Sequence, residues 1–74
     1  MTAKYRLGQN IVAQLQKIGR SSTWLARQTK KADDTILRYI TGRRVPTAIA
    51  LYRISLAIGC TMEELMEGVL DDTE

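Results

Sequence analysis

Ser21-Ser22-Thr23-Trp24-Leu25-Ala26-Arg27-Gln28-Thr29-Lys30-Lys31-Ala32-Asp33-Asp34-Thr35-Ile36-Leu37-Arg38-Tyr39-Ile40-Thr41-Gly42 is the stretch on which the fold turns. It reads as two short helices joined by a tight turn. Ser21 or Ser22 can cap the first by accepting a hydrogen bond from a free backbone N–H. That helix holds Trp24, Leu25, Ala26 and Gln28 and fades at Thr29-Lys30-Lys31. The second can start at Ala32 or Asp33. Asp33 and Asp34 suit its first turn, where carboxylates meet the positive end of the helix dipole, and Asp33 is expected to act as the cap. Ile36, Leu37, Tyr39 and Ile40 are its apolar positions, and Thr41-Gly42 ends it.

Outward from this pair the pattern stays helical. Upstream, Gly8 precedes a periodic stretch in which Ile11, Leu15 and Ile18 follow at the spacing of one helix face, and Gly19 stops it. Downstream, Arg43-Arg44-Val45 is a short basic loop. Pro46 fits the first turn of a fourth helix, where its missing N–H costs nothing. Residues 47–58 continue with Leu51, Ile54, Ala57 and Ile58 on one side, up to Gly59. Thr61-Met62-Glu63-Glu64 is a capping box opening a fifth helix of about residues 61–67, which Gly68 stops. Residues 68–74 are expected to fray. No segment alternates with period two, so strands are not expected. The expectation is all-α: one compact five-helix domain over residues 1–74.

Composition agrees and excludes much else. The chain has 74 residues, 45% hydrophobic and 26% charged, which is a globular mix and room for one domain. With no His and Cys60 as its one cysteine, it can build neither an internal disulfide nor a His/Cys zinc cluster. No metal, cofactor or catalytic residue is expected. No apolar run approaches the roughly 20 residues a membrane span needs, and Met1–Arg6 does not read as a signal peptide. A reduced cytoplasmic setting follows as the expectation. The net charge of +3 hides an uneven distribution. Residues 17–44 carry eight basic side chains against two acidic ones, and residues 61–74 carry six acids and no base. A basic middle over the paired helices points to a polyanionic partner.

Two short helices across a tight turn in a basic segment have the layout of a helix-turn-helix, about residues 21–42, whose second member lies in the major groove of DNA. From Gly19 to Met66 the chain resembles the lambda-repressor-like (Cro/repressor, XRE-type) family without a gap. Ser21 sits at the family's cap of helix two. Leu25-Ala26 matches its Leu-Ala pair, and Ile36 its recognition-helix anchor. Gly42-Arg43-Arg44-Val45-Pro46 is similar to its Gly-Lys-Arg-x-Pro turn. Leu51, Ile54, Ala57, Ile58, Gly59, Cys60 and Glu64-Leu65 follow its fourth and fifth helices, with Cys60 at a core position. Three features depart from the pattern. Lys30 and Lys31 stand where the family often has a Gly and an aliphatic residue, which implies a less anchored turn. Ile40 replaces a Glu that pairs with a helix-one Arg, and helix one here offers Leu15 or Gln16. Two acids open the recognition helix.

The resemblance implies double-stranded DNA as partner and a division between contacts that position the protein and contacts that specify sequence. Phosphate contacts fall to Ser22 and Thr23 with their backbone N–H groups, to Arg43 and Arg44 in the loop, to Lys30 and Lys31 in the turn, and to Thr41. Base readout falls to Asp33, Asp34, Thr35, Leu37 and Arg38. Arg38 can bond both acceptors of a guanine edge, and Leu37 can meet a thymine methyl. A homodimer on a two-fold operator is expected, with half-sites about 34 Å apart.

Ile49, Tyr52 and Leu56 form a second apolar stripe on helix four. It is either extra packing within the chain or a dimer or partner surface, which Met62, Met66, Val69 and Leu70 could extend. Two rival functions stand beside the DNA-binding regulator. A protein-interaction module on the same fold, such as an antirepressor or antitoxin-like partner, would use Asp33, Asp34 and the helix-four stripe. An enzyme would have to use Glu63, Glu64 and Glu67, which read instead as a solvated helix face.

Overall fold

In a computed structural model, residues 3–69 are described, and they form five helices. These are α1 (Ala3–Ile18), α2 (Ser22–Thr29), α3 (Asp33–Ile40), α4 (Ala48–Ile58) and α5 (Met62–Leu65). There is no strand among the described residues. The five largest fully buried side chains are Ile11, Leu25, Ile36, Ile54 and Leu65, one from each helix. Each is worth roughly 1.5–3 kcal/mol of burial, so every helix is held by its stake in a single core.

The helix ends show which local signals operate. The Ser21 hydroxyl accepts from the Trp24 N–H at 3.2 Å and caps α2. Thr61 and Glu64 complete the expected capping box, with the Thr61 N–H donating to Glu64 Oε1 and the Glu64 N–H donating to Thr61 Oγ1, each at 3.0 Å. The Thr61 N–H, and the Thr61 hydroxyl donating to the same Oε1 at 3.2 Å, hold the Glu64 carboxyl below its ordinary range. Two expectations fail here. Asp33 is not a cap: the N-cap of α3 is Ala32, which has no side-chain acceptor, and Asp33 is the first helical residue. Pro46 does not open α4. It is buried just ahead of Thr47, whose hydroxyl accepts from the Ala50 N–H at 3.1 Å and is the true cap.

The largest revision concerns Gly8. It does not precede α1 but lies inside it, because α1 extends the Ile11–Leu15 face back to a buried Leu7. A Cβ at Gly8 would stand 2.7 Å from the Ile40 carbonyl carbon and 2.7 Å from the Tyr39 oxygen. Gly8 is therefore where α1 meets the backbone of α3. At the other end of α1, Ile18 is 41% exposed and largely leaves the core face it was assigned to.

The chain after α5 is packed rather than frayed at residues 68 and 69. The Asn10 side-chain amide donates to the Leu65 and Glu67 carbonyls, each at 2.8 Å, and Val69 is buried. Residues 70–74 lie outside the described residues. The regular helix is shorter than expected at Met62–Leu65. Cys60 is half-buried beside the core rather than within it. Burial, then the Glu64 charge, push its thiol up, which disfavours the reactive thiolate. No described helix is long and apolar enough to cross a membrane.

Candidate nucleic-acid interface

Gly42 sets the geometry of the basic loop. It takes φ +77°, a conformation that Gly accepts without a Cβ penalty. The chain then folds back so that the Arg43 N–H donates to the Arg38 carbonyl at 2.9 Å and the Arg44 N–H to the same oxygen at 3.3 Å. The start of the loop is thereby tied to the last turn of α3. Arg43 and Arg44 are both exposed.

On the solvent side of α3, Asp34, Leu37, Arg38, Thr41 and Arg43 line one shallow depression of about 250 Å³. Leu37 is 51% exposed there, with nothing in the fold to cover it. Arg38 Nη2 lies 3.0 Å from Asp34 Oδ2, with both side chains more than half exposed. Five of the residues expected to read bases or hold phosphates are thus neighbours on one surface. Thr35 is half-buried and Asp33 exposed at the start of the same helix. Thr41 is in place but differently engaged. Its hydroxyl donates to the Leu37 carbonyl at 2.9 Å, so its proton is spent within α3 and is not offered to a phosphate.

At the start of α2, Ser21 satisfies the Trp24 N–H and its carbonyl accepts from Leu25. The backbone N–H groups of Ser22 and Thr23 have no partner among the described residues, which is the ordinary state of a helix's first turn and the condition for receiving an anion. One turn before Trp24, the Arg20 guanidinium carbon lies 5.3 Å from the centroid of its ring, within cation–π range.

The turn between α2 and α3 departs from expectation. Lys30 takes φ 58°, the one positive φ outside glycine among the described residues. Its N–H donates to the Arg27 carbonyl at 3.3 Å, and the Lys31 N–H donates to Ala26 at 2.9 Å. The turn is therefore anchored by its backbone, not loosened by its polar side chains. Lys31 is half-buried. Lys30 lines a separate depression of about 460 Å³ with Gln28, Thr29, Arg53, Leu56 and Ala57. It sits with α4, not with the residues around Arg38.

Sequence reasoning missed Tyr5 and Gln9. Tyr5 packs within 3.3 Å of where a Gly42 Cβ would stand. With Gln9, Ile40 and Thr41 it lines a depression between α1 and α3. The signal was available, since Leu7 continues the Ile11–Leu15 face backwards and brings Tyr5 and Gln9 onto a helix. Reading Gly8 as a boundary concealed it.

The surface suggested for a dimer or partner divides. Ile49, Tyr52 and Leu56 are 68%, 52% and 62% exposed. Met62 and Met66 are half-buried and line, with the buried Val69, an apolar cleft of about 370 Å³. Val69 is consequently unavailable as an outward-facing contact, because the Asn10 bonds draw its segment onto α1. Leu70 lies outside the described residues. No group of three His, Cys, Asp or Glu side chains that could hold a metal ion occurs among the described residues.

Compared with known proteins, the chain matches no protein-family model, no curated protein and no solved structure.

Proposed function

We propose that this chain is a sequence-specific, double-stranded DNA-binding transcriptional regulator of the lambda-repressor-like type, acting in the cytoplasm on a two-fold operator as a phage- or mobile-element repressor would. The observation that carries the reading is the depression shared by Asp34, Leu37, Arg38, Thr41 and Arg43. It offers a forked cation and an exposed apolar side chain on one helix face, with a basic loop bonded to that helix's end. A forked guanidinium beside an apolar contact is what reading a guanine edge and a thymine methyl requires. The open N–H groups of Ser22 and Thr23 supply an anion-binding end. Arg38 and Leu37 specify, while Arg43, Arg44 and the α2 start position.

Selection of bound sites from random duplex DNA tests this. A two-fold symmetric consensus supports it, and no enrichment over non-specific binding sinks it. A second reading, a protein-interaction module on the same fold, is favoured by one feature: Asp34 already engages Arg38, and Asp33 stands exposed beside it. Salt titration separates the two readings, since displacing counterions from phosphates makes DNA affinity fall steeply with salt.

A further inference from the structure

Lys30 is a cation placed at a cost. It holds the one left-handed backbone outside glycine among the described residues, φ 58°, a conformation that penalises any residue with a Cβ. Glycine would close the same turn without that penalty, so the turn itself does not explain a lysine. Its neighbours do not explain it either. Lys30 lines a depression of about 460 Å³ together with Arg53 of α4, and both are exposed. Neither α2 nor α4 contains an acidic residue, and neither cation has an ion-pair partner among the described residues. Two like charges are thus gathered in one hollow with nothing in its walls to neutralise them. Strain that persists beside such a hollow points to a use for the side chain.

The rest of the wall is apolar. Leu56 and Ala57 line the same depression. Leu56 is also the last member of the stripe Ile49, Tyr52 and Leu56, each more than half exposed. The stripe runs about 10 Å along α4, two helical turns.

We infer that the groove between the end of α2 and the outer face of α4 docks an acidic amphipathic segment of a partner protein. Its carboxylates meet Lys30 and Arg53, and its apolar side chains cover Leu56, Tyr52 and Ile49. Seating an amphipathic segment in a groove supplies the area, and the complementary charge selects the partner and speeds its approach. A phosphate or a small anion would satisfy the cations but leave the stripe in water. A second copy would bring the same cations and, from α2 and α4, no acid. The groove shares no residue with the depression around Arg38, so the inference stands whether or not α3 reads DNA.

Panning a random-peptide display library against the immobilised full chain, with no DNA present, tests this. Enriched peptides should combine Asp or Glu with apolar residues three and four apart. Once synthesised, they should bind Arg53→Glu, shown to be folded by circular dichroism, roughly tenfold more weakly. Lys30→Gly relieves the strained turn, so it should weaken peptide binding while stabilising the chain, a combination that a purely structural lysine would not give. Backbone amide resonances of Gln28, Lys30, Arg53 and Leu56 should shift on peptide addition, and those of Leu37 and Arg38 should not. No enrichment, enriched peptides without acids, binding indifferent to both substitutions, or shifts confined to α3 and its loop would overturn the proposal. If the peptides behave as expected while site selection finds no DNA consensus, the docking groove stands and the regulator reading falls.

Discussion

Asp34 Oδ2 lies 3.0 Å from Arg38 Nη2, one turn apart on the exposed face of α3. The acid precedes the base by four residues, the better order for a helix pair. Both side chains are more than half exposed, so the contact is worth only about 0.3–0.5 kcal/mol. It aims the guanidinium without holding it against a stronger acceptor.

Arg38→Ala should therefore cost ~1–3 kcal/mol at one base position and little elsewhere. Arg43→Ala should weaken all sequences alike and lower the salt slope by about one. Asp34→Asn should tighten binding to every sequence by removing a negative charge near the phosphates. Fluorescence anisotropy on the selected site and its single-base variants, at several salt concentrations, measures all three. Equal losses across sequences for Arg38→Ala and Arg43→Ala would contradict the assigned roles.

Gly8→Ala should destabilise the fold by ~1–3 kcal/mol, as overpacking does. The direction is informative, because Ala in a helix interior ordinarily gains roughly 0.5–1 kcal/mol over Gly. Here the added Cβ meets the Ile40 and Tyr39 backbone, which cannot rotate aside as a side chain can. Urea unfolding reads the sign, and a stabilised variant would remove the close approach of α1 and α3.

Lys30→Gly should stabilise by ~0.5–1 kcal/mol. A left-handed backbone costs a residue with a Cβ roughly 1–2 kcal/mol, part of which the greater freedom of unfolded Gly takes back. Since Lys30 lies with Arg53 and Leu56, away from the depression around Arg38, DNA affinity should change far less than for Arg43→Ala. Thermal melts and binding titrations on the same variant check both halves.

The capping box should make stability fall in acid. The Thr61 N–H and hydroxyl hold the folded Glu64 carboxyl below its unfolded value. Its contribution is therefore present above the unfolded pKa of about 4.3 and is lost as pH falls through the lower folded value. Glu64→Gln should flatten this part of the acid limb in melting temperature against pH. An unchanged acid limb would mean that the bonds do not persist in solution.

Much of the fold was legible because its signals are local. Ser21, the Thr61–Glu64 box and the apolar spacing from Leu25 to Ile58 each act within a few residues. Local rules misled where two positions compete. Asp33 looks like a cap, but the helix begins there and Ala32 takes the cap position. Pro46 looks like a first turn, but Thr47 offers the better acceptor one residue later.

The candidate site was legible in its residue types and less so in its grouping. Arg38, Leu37 and Arg43 were identifiable as exposed groups on or just after α3. That Lys30 parts from them, and that Thr41 turns its proton inward, depends on backbone geometry no composition reveals.

By itself the sequence determined the number and order of the helices and most of their apolar faces, because a residue's helical register depends on neighbours within a turn or two. Only the tertiary structure decided that Gly8 is a crossing point against Ile40, and that Asn10 ties down carbonyls 55 and 57 residues away. Those partners are distant in the chain, and nothing local to Gly8 or Asn10 distinguishes such a contact from an ordinary helix position until the core has formed.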